Sequence, residues 1–169
     1  MTSAMRLTMR STTRSARGFT FIELLMTLAI MGVLAMVTVP LAQITAQRAK
    51  EHELRLALAD IRRAIDAHKR AAETGRIELK VGESGYPKTL NALVEGVPDQ
   101  RSPTRQLMFF LRELPRDPLH PDAATPADRT WAPRSHASPP DAPAEGEDVF
   151  DVRSRSEAIG LNGVPYKKW

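Results

Sequence analysis

A lone carboxylate inside an apolar run is the residue that points most directly to chemistry. Glu23 is the only charged residue between Phe19 and Ile44. An acidic side chain within a bilayer costs about 2.5–3.5 kcal/mol or more, so such residues are usually paired and functional. A cut between Gly18 and Phe19 creates an amino group about 6 Å of helical rise from Glu23. If that amine pairs with Glu23 of a neighbouring copy, the pairing removes the penalty, which predicts an assembly role for Glu23. The alternative is a glutamate at the headgroup level with no role.

A second group of carboxylates lies in the carboxy-terminal part of the chain. Its members are Asp141, Glu145, Glu147, Asp148 and Asp151. Carboxylate oxygens are the ligands that calcium prefers, and Asp148 and Asp151 are the candidate ligands, although the spacing matches no EF-hand loop. The alternative interpretation is a solvated acidic loop that balances nearby arginines. No cofactor is predicted, and calcium is kept only as a candidate ion for this loop.

The sequence shows no arrangement typical of an enzyme or of a nucleic-acid-binding protein. It contains no cysteine, no HExxH-type histidine spacing, no GxSxG and no glycine-rich phosphate loop. It also lacks a basic stripe with interleaved aromatic residues, so nucleic acid is not expected as a partner. We therefore predict a chain that does not act by catalysis.

The apolar run itself predicts one membrane-spanning helix. Residues 19–44 exceed the roughly 20 apolar residues that a helix needs to cross a bilayer. Four arginines and no acid precede the run, at Arg6, Arg10, Arg14 and Arg17. By the positive-inside rule the amino terminus is cytoplasmic, and the rest of the chain lies on the other side of the membrane, which is the periplasm if the organism is a Gram-negative bacterium. An ordinary secretory signal fits less well because its apolar region is shorter.

The segment after the apolar run continues as an amphipathic helix. Residues 42–74 lack proline and glycine, and their apolar face follows a 4-3-4 spacing through Leu54, Leu58, Ile61 and Ile65. Pro40 is expected to kink the helix rather than to end it, and Gly75 is the predicted stop. Pairs at i,i+4 are predicted on exposed faces, at Glu51 with Arg55 and at Asp66 with Arg70.

The remaining residues predict a small head rich in proline. Ten of the thirteen prolines lie between Gly96 and Asp148, which favours long loops. Short strands are expected near residues 130–134 and 148–153, and Leu107 to Leu114 is compatible with either a helix or a strand. Trp131 is predicted to fill the core and Trp169 to dock onto the head. The fold class is therefore α+β, with a leader at 1–18, a membrane helix at 19–44, an amphipathic continuation at 45–75 and a periplasmic head at 76–169.

Three segments carry a resemblance to a known family. Arg17-Gly18-Phe19-Thr20-Phe21-Ile22-Glu23-Leu24-Leu25 resembles the signal of type IV pilins and of the pseudopilins of type II secretion. Gly85 to Leu93 and Leu114 to Pro118 resemble the major pseudopilins, and the chain lacks the paired carboxy-terminal cysteines common in type IV pilins. The resemblance implies a type IV pilin-like fold, in which a long helix packs on a small head with a short antiparallel sheet.

The same resemblance implies a function and its partners. A prepilin peptidase would cut after Gly18 and methylate Phe19. Glu23 would act in assembly, and Pro40 falls where the family places a helix-bending proline. The chain would form a periplasmic filament with itself and other pseudopilins, on an inner-membrane assembly platform, for protein secretion. Major pseudopilins bind calcium in a carboxy-terminal loop, yet the corresponding region here, Ser156 to Gly163, is poor in acids.

Two alternatives remain open. The chain could be a type IV pilus subunit, including a minor one, that serves adhesion, motility or DNA uptake. It could also be a membrane-anchored periplasmic binding module that never polymerises. Replacement of Glu23 by alanine discriminates between filament subunits and a mere anchor.

Overall fold

The computed structural model describes residues 18–169. The arginines predicted to stay in the cytoplasm lie outside the described residues. The chain divides into two compact units, Met1–Ala42 and Gln43–Trp169. One helix, α1 (Phe21–Glu73), supplies residues to both units.

Both ends of α1 have local sequence causes. At its start the hydroxyl of Thr20 accepts a hydrogen bond from the Glu23 amide at 3.3 Å, and threonine is a preferred residue for this capping contact. At its end Gly75 adopts a φ of 70°. The Arg76 amide bonds to the Ala71 carbonyl at 2.9 Å and the Gly75 amide to the Ala72 carbonyl at 3.0 Å. This pair of bonds is a Schellman motif, so the predicted stop at Gly75 is confirmed.

The helix is continuous through Pro40. The interpretation that Pro40 ends the membrane helix is therefore wrong. Pro40 removes one backbone donor, but the residues on both sides keep helical hydrogen bonding. A bend at Pro40 stays a prediction.

The part of α1 in the second unit buries the predicted apolar stripe. Leu54, Ile61 and Ile65 are completely buried, and Leu58 is 3% exposed. They belong to one core cluster with residues of the head, namely Leu90, Leu93, Leu114, Trp131, Val149, Val152 and Tyr166. Full burial of each such side chain contributes about 1.5–3 kcal/mol. Packing of the stripe against the head and the core position of Trp131 are both confirmed.

The head contains two short antiparallel sheets joined by loops. β1 (Val97–Pro98) pairs with β2 (Leu107–Met108), and β3 (Trp131–Arg134) pairs with β4 (Asp151–Ser154). Short helices α2 (Ala92–Glu95) and α3 (Ala127–Thr130) and one 3-10 turn (Tyr166–Lys168) complete the elements. The predicted α+β class, a long amino-terminal helix followed by a smaller part with short antiparallel sheets, is confirmed.

The sheet details differ from the sequence prediction in two places. The strand predicted at 148–153 is shifted to Asp151–Ser154. The displacement arises because the Val149 amide bonds to the Pro87 carbonyl at 2.8 Å, which holds this residue against a loop instead of a strand. Of the apolar segment Leu107 to Leu114, only Leu107–Met108 is a strand.

Candidate functional site

The candidate processing and assembly residues lie at the exposed start of α1. Gly18 is exposed, the side chain of Phe19 is 80% exposed, and Glu23 lies in the first turn of the helix. Among residues 18–169 the carboxylate of Glu23 has no ion-pair partner. An amino group at Phe19 would stand about 6 Å of rise from it. The arrangement therefore offers an unpaired carboxylate close to the position where a new terminal amine would be created.

The part of α1 that follows exposes almost nothing but apolar side chains. This stretch contains an 18-residue window with a mean hydropathy of 2.3 and no buried residue. Leu25, for example, is 48% exposed, Ile30 57% and Leu34 61%. By length and composition, α1 is the one helix in the described part of the chain that is able to cross a membrane. Such a surface requires a cover of lipid or of other apolar helices.

The same stretch matches a known family model. Residues 13–39 match the prokaryotic N-terminal methylation motif. The chain carries a type IV pilin-like prepilin signal. The matched segment contains Gly18, Phe19 and Glu23, and the prepilin signal indicates a subunit that is processed by a prepilin peptidase and anchored in a membrane. No curated protein and no solved structure matches the chain.

Further along α1 from the prepilin signal, a buried polar cluster ties the carboxy terminus to the helix. Glu51 is only 3% exposed. Its Oε1 accepts hydrogen bonds from the Tyr166 hydroxyl at 2.9 Å and from the Leu161 amide at 2.7 Å. The side-chain amide of Gln47 donates to the same Tyr166 hydroxyl at 2.9 Å. Burial of the Tyr166 phenol, together with the neighbouring Glu51 carboxylate, raises the pKa of Tyr166.

This cluster corrects one prediction from the sequence. Glu51 was expected on an exposed face in a pair with Arg55. Arg55 does approach it, at 3.6 Å, but the carboxylate is buried and its two shortest hydrogen bonds, at 2.7 and 2.9 Å, come from the carboxy-terminal segment. The 4-3-4 spacing carries a signal for this position, because Gln47 and Glu51 extend the stripe of Leu54 and Leu58 by one turn. Asp66 and Arg70 form no ion pair within residues 18–169, and Arg70 bonds to the Asp66 carbonyl.

The last residue completes the docking of this segment. The rings of Trp169 and Tyr166 meet edge to face at 5.0 Å, and the Arg55 guanidinium lies 4.4 Å from the centre of the Trp169 ring. Arg62 donates to the Trp169 carbonyl at 2.8 Å. The prediction that Trp169 docks onto the head is confirmed.

The two candidate calcium ligands have other partners. Asp148 accepts hydrogen bonds from the hydroxyl of Ser84, from the hydroxyl of Ser135 at 2.7 Å and from the amide of His136 at 2.9 Å. Burial raises the pKa of Asp148, but these three bonds outweigh burial and leave the pKa below its usual value. Asp151 pairs with Arg62 at 2.7 Å. Within residues 18–169 no group of three or more His, Cys, Asp or Glu side chains is arranged to hold a metal ion. Calcium at Asp148 and Asp151 stays a hypothesis.

An open cleft of about 930 Å³ lies beside Asp148. It contains the hydroxyls of Ser84 and Ser135 and the ring of His136. Both hydroxyls donate to Asp148, whereas the His136 ring stacks on Tyr86 at 5.5 Å. In the described part of the chain no hydrogen bond joins a serine hydroxyl to this imidazole.

The two head segments that resemble pseudopilins make hydrogen bonds to α1 and to the core residue Trp131. The Gly85 carbonyl accepts a bond from His68 of α1 at 3.1 Å, and Tyr86 meets Phe150 edge to face at 5.1 Å. Tyr86 thus packs against the core cluster of the head. In the second segment the Pro115 carbonyl accepts a bond from the Trp131 indole at 2.8 Å. Asp117 is buried and accepts a bond from the Ser154 hydroxyl of β4.

Proposed function

We propose that the chain is a structural subunit of a periplasmic pseudopilus of a type II protein secretion system. In this proposal a prepilin peptidase cuts after Gly18 and methylates Phe19, and the Phe19 amine pairs with Glu23 of a neighbouring subunit. The partners are further copies of the chain, other pseudopilins and an inner-membrane assembly platform. Before assembly the subunit spans the inner membrane once, with its head in the periplasm.

One observation carries the proposal. The prepilin signal ends in a continuous helix whose apolar side chains have no cover within the described chain, while the rest of the same helix is packed against a head. A bilayer covers the apolar surface in the anchored state, and the same helices from other copies cover it in a filament. A surface that must exchange one apolar environment for another suits a subunit that is stored in a membrane and then assembled.

The choice of a pseudopilus over a type IV pilus rests on the head. The segments Gly85 to Leu93 and Leu114 to Pro118 resemble major pseudopilins, and their contacts with His68 and Trp131 give both segments a role in the fold. The chain also has no cysteine with which to close a carboxy-terminal disulfide. Deletion of the subunit is therefore expected to block secretion of folded proteins and to leave surface pili in place; the reverse result supports the type IV pilus.

Intact mass spectrometry of the protein purified from its native membrane tests the processing step. A mass for a chain that begins at Phe19 and carries one added methyl supports the proposal. Cells without prepilin peptidase serve as the control and should retain the leader. A leader that persists in cells with an active peptidase refutes the processed subunit and favours a membrane-anchored module.

A further inference from the structure

A loop near the carboxy terminus exposes three apolar side chains. In the segment Ile159–Val164, which we term the apolar loop, Ile159 is 61% exposed, Leu161 45% and Val164 38%. Single exposed apolar residues are ordinary on protein surfaces, but three within six residues form a patch. Within residues 18–169 each of these side chains keeps more than a third of its surface open.

The apolar loop is held in shape by its own hydrogen bonds. The Gly160 amide bonds to the Val164 carbonyl at 3.0 Å, and the Gly163 amide bonds to the Gly160 carbonyl at 2.8 Å. The side chain of Asn162 accepts a bond from the Val164 amide at 3.0 Å. These bonds keep the backbone compact, so the apolar side chains remain exposed without unfolding of the head.

The contacts of the apolar loop place it beside the end of the apolar run. The Ile159 carbonyl accepts a bond from the Gln47 side chain at 3.4 Å, and the Leu161 amide donates to Glu51 at 2.7 Å. Gln47 follows Ile44, the last residue of the apolar run, by three residues, or about 4.5 Å of helical rise. The headgroup layer of a bilayer is about 5–8 Å thick on each side. The Ile159 end of the loop is therefore bonded to the helix at the level expected for lipid headgroups, and the Leu161 amide is bonded one turn, about 6 Å, farther out.

The charges at this level favour a lipid surface. After Glu23, the next charged residues in the sequence are Arg48 and Lys50, and both are exposed. Basic residues next to a membrane helix are attracted to anionic headgroups by about 1 kcal/mol each. The carboxylate of Glu51 is buried and hydrogen-bonded, so it presents little charge to a headgroup.

We propose that the apolar loop inserts Ile159, Leu161 and Val164 into the headgroup layer of an anionic periplasmic leaflet. The loop thereby rests the head on the bilayer until the subunit is extracted. Apolar side chains at the interface gain by leaving water, and Arg48 and Lys50 add electrostatic attraction. The inference rests on the membrane-anchored state in the proposed function and does not depend on the kind of filament.

Single-cysteine variants test the insertion directly, because the chain has no cysteine of its own. Leu161→Cys reports on the apolar loop. Val81→Cys is the matched control for a site in water, because Val81 is fully exposed. The nearby Ser84 carbonyl accepts a hydrogen bond from Lys69, and Lys69 lies about 33 Å of helical rise beyond Gln47. Ala35→Cys lies in the apolar run and reports on the anchor. Each full-length variant carries an environment-sensitive fluorophore and is placed as one copy per nanodisc, in phosphatidylglycerol or in phosphatidylcholine, with a quencher near the headgroups.

The expected result is quenching at Leu161 several-fold above that at Val81, with emission shifted to the blue. Replacement of Arg48 and Lys50 by glutamine should remove the difference between anionic and neutral discs. Equal exposure to water at Leu161 and Val81, with Ala35 in lipid, overturns the inference and leaves the anchor intact. Protection of Leu161 that requires several copies per disc also overturns it, in favour of a contact with a second copy. If Ala35 is in water as well, the membrane-anchored state itself is refuted.

Discussion

The two parts of α1 differ in burial although they belong to one continuous helix. Before Ala42 the helix is apolar on all sides and exposed. From Gln43 onward it is amphipathic, and its stripe from Leu54 to Ile65 is buried against the head. The pattern of apolar residues decides which environment each part needs. Within residues 18–169 that environment is supplied only for the second part, and the first exposes its apolar side chains.

The two parts also differ in the partners that they offer to a glutamate carboxylate. The carboxylate of Glu51 is buried, but the Tyr166 hydroxyl and the Leu161 amide donate to it. Glu23 has no ion-pair partner within residues 18–169, and the apolar run surrounds it in sequence. A carboxylate taken out of water must gain partners or lose its charge. Glu51 therefore serves the fold of one chain, whereas residues 18–169 offer Glu23 no ion-pair partner.

The largest expected effect is the loss of filament assembly on replacement of Glu23 by alanine. Removal of one partner from a desolvated ion pair costs about 3–5 kcal/mol, which corresponds to a loss of roughly a hundredfold or more in assembly. The unfolding midpoint of the head should not change. Filament yield in sheared fractions and denaturant unfolding of the purified protein measure the two effects.

Glu53→Ala is the matched control for Glu23, since Glu53 is an exposed glutamate of the same helix. It should leave both assembly and stability unchanged. Normal assembly of the Glu23→Ala protein would contradict the role proposed for this carboxylate and would favour a plain membrane anchor.

The second prediction compares two neighbouring leucines of the packed part of the helix. Leu58 is 3% exposed and Leu56 is 50% exposed. Leu58→Ala should lower the free energy of unfolding by about 2–5 kcal/mol, because it removes packed methyl groups and leaves a cavity. Leu56→Ala should change it by no more than about 0.5 kcal/mol. Guanidinium unfolding of the full chain in detergent, followed by the fluorescence of Trp131 and Trp169, gives both values.

Leu28→Ala extends this comparison into the apolar part. Leu28 is 59% exposed, so the substitution should not alter unfolding of the head, although it removes the same atoms as Leu58→Ala. A destabilisation as large as that of Leu58→Ala would show that the two parts of the helix do not behave as separate units.

Local patterns in the sequence were enough to predict the elements that depend on neighbours in the chain. The 4-3-4 spacing predicts the buried stripe. Gly75 predicts the end of the helix, because a left-handed φ such as its 70° has a low energetic cost only for glycine. The position of Trp131 in the core followed from its size and its short strand. The prepilin signal is also local, since it is read within residues 13–39.

Features that depend on distant parts of the chain were not predictable in the same way. The burial of Glu51 is fixed by Leu161 and Tyr166, more than a hundred positions away. The shift of β4 follows from the bond between Val149 and Pro87. Hydrogen bonds of this kind leave no periodic signal, so the partners of a polar residue appear only when the fold is known. The weakly apolar β1, with Pro98 as one of its two residues, shows no strand alternation at all.

The smallest predicted effect concerns pH and the packed part of the helix. His68 is 6% exposed and its Nδ1 donates to the Gly85 carbonyl at 3.1 Å. Burial lowers the pKa of His68, and the bond to Gly85 opposes this only in part. As pH falls below the ordinary histidine value of about 6.5, the unfolded chain binds the proton before the folded chain does. The free energy of unfolding should then fall by up to about 1.4 kcal/mol per pH unit until the folded pKa is passed. Above pH 6.5 the imidazole is neutral in both states, so it adds no pH dependence.

His68→Gln should remove the slope, whereas His52→Gln, at an exposed position of the same helix, should retain it. Denaturant unfolding between about pH 7.5 and pH 5.5 measures the slope, and an unchanged slope in His68→Gln would assign the pH dependence to other groups.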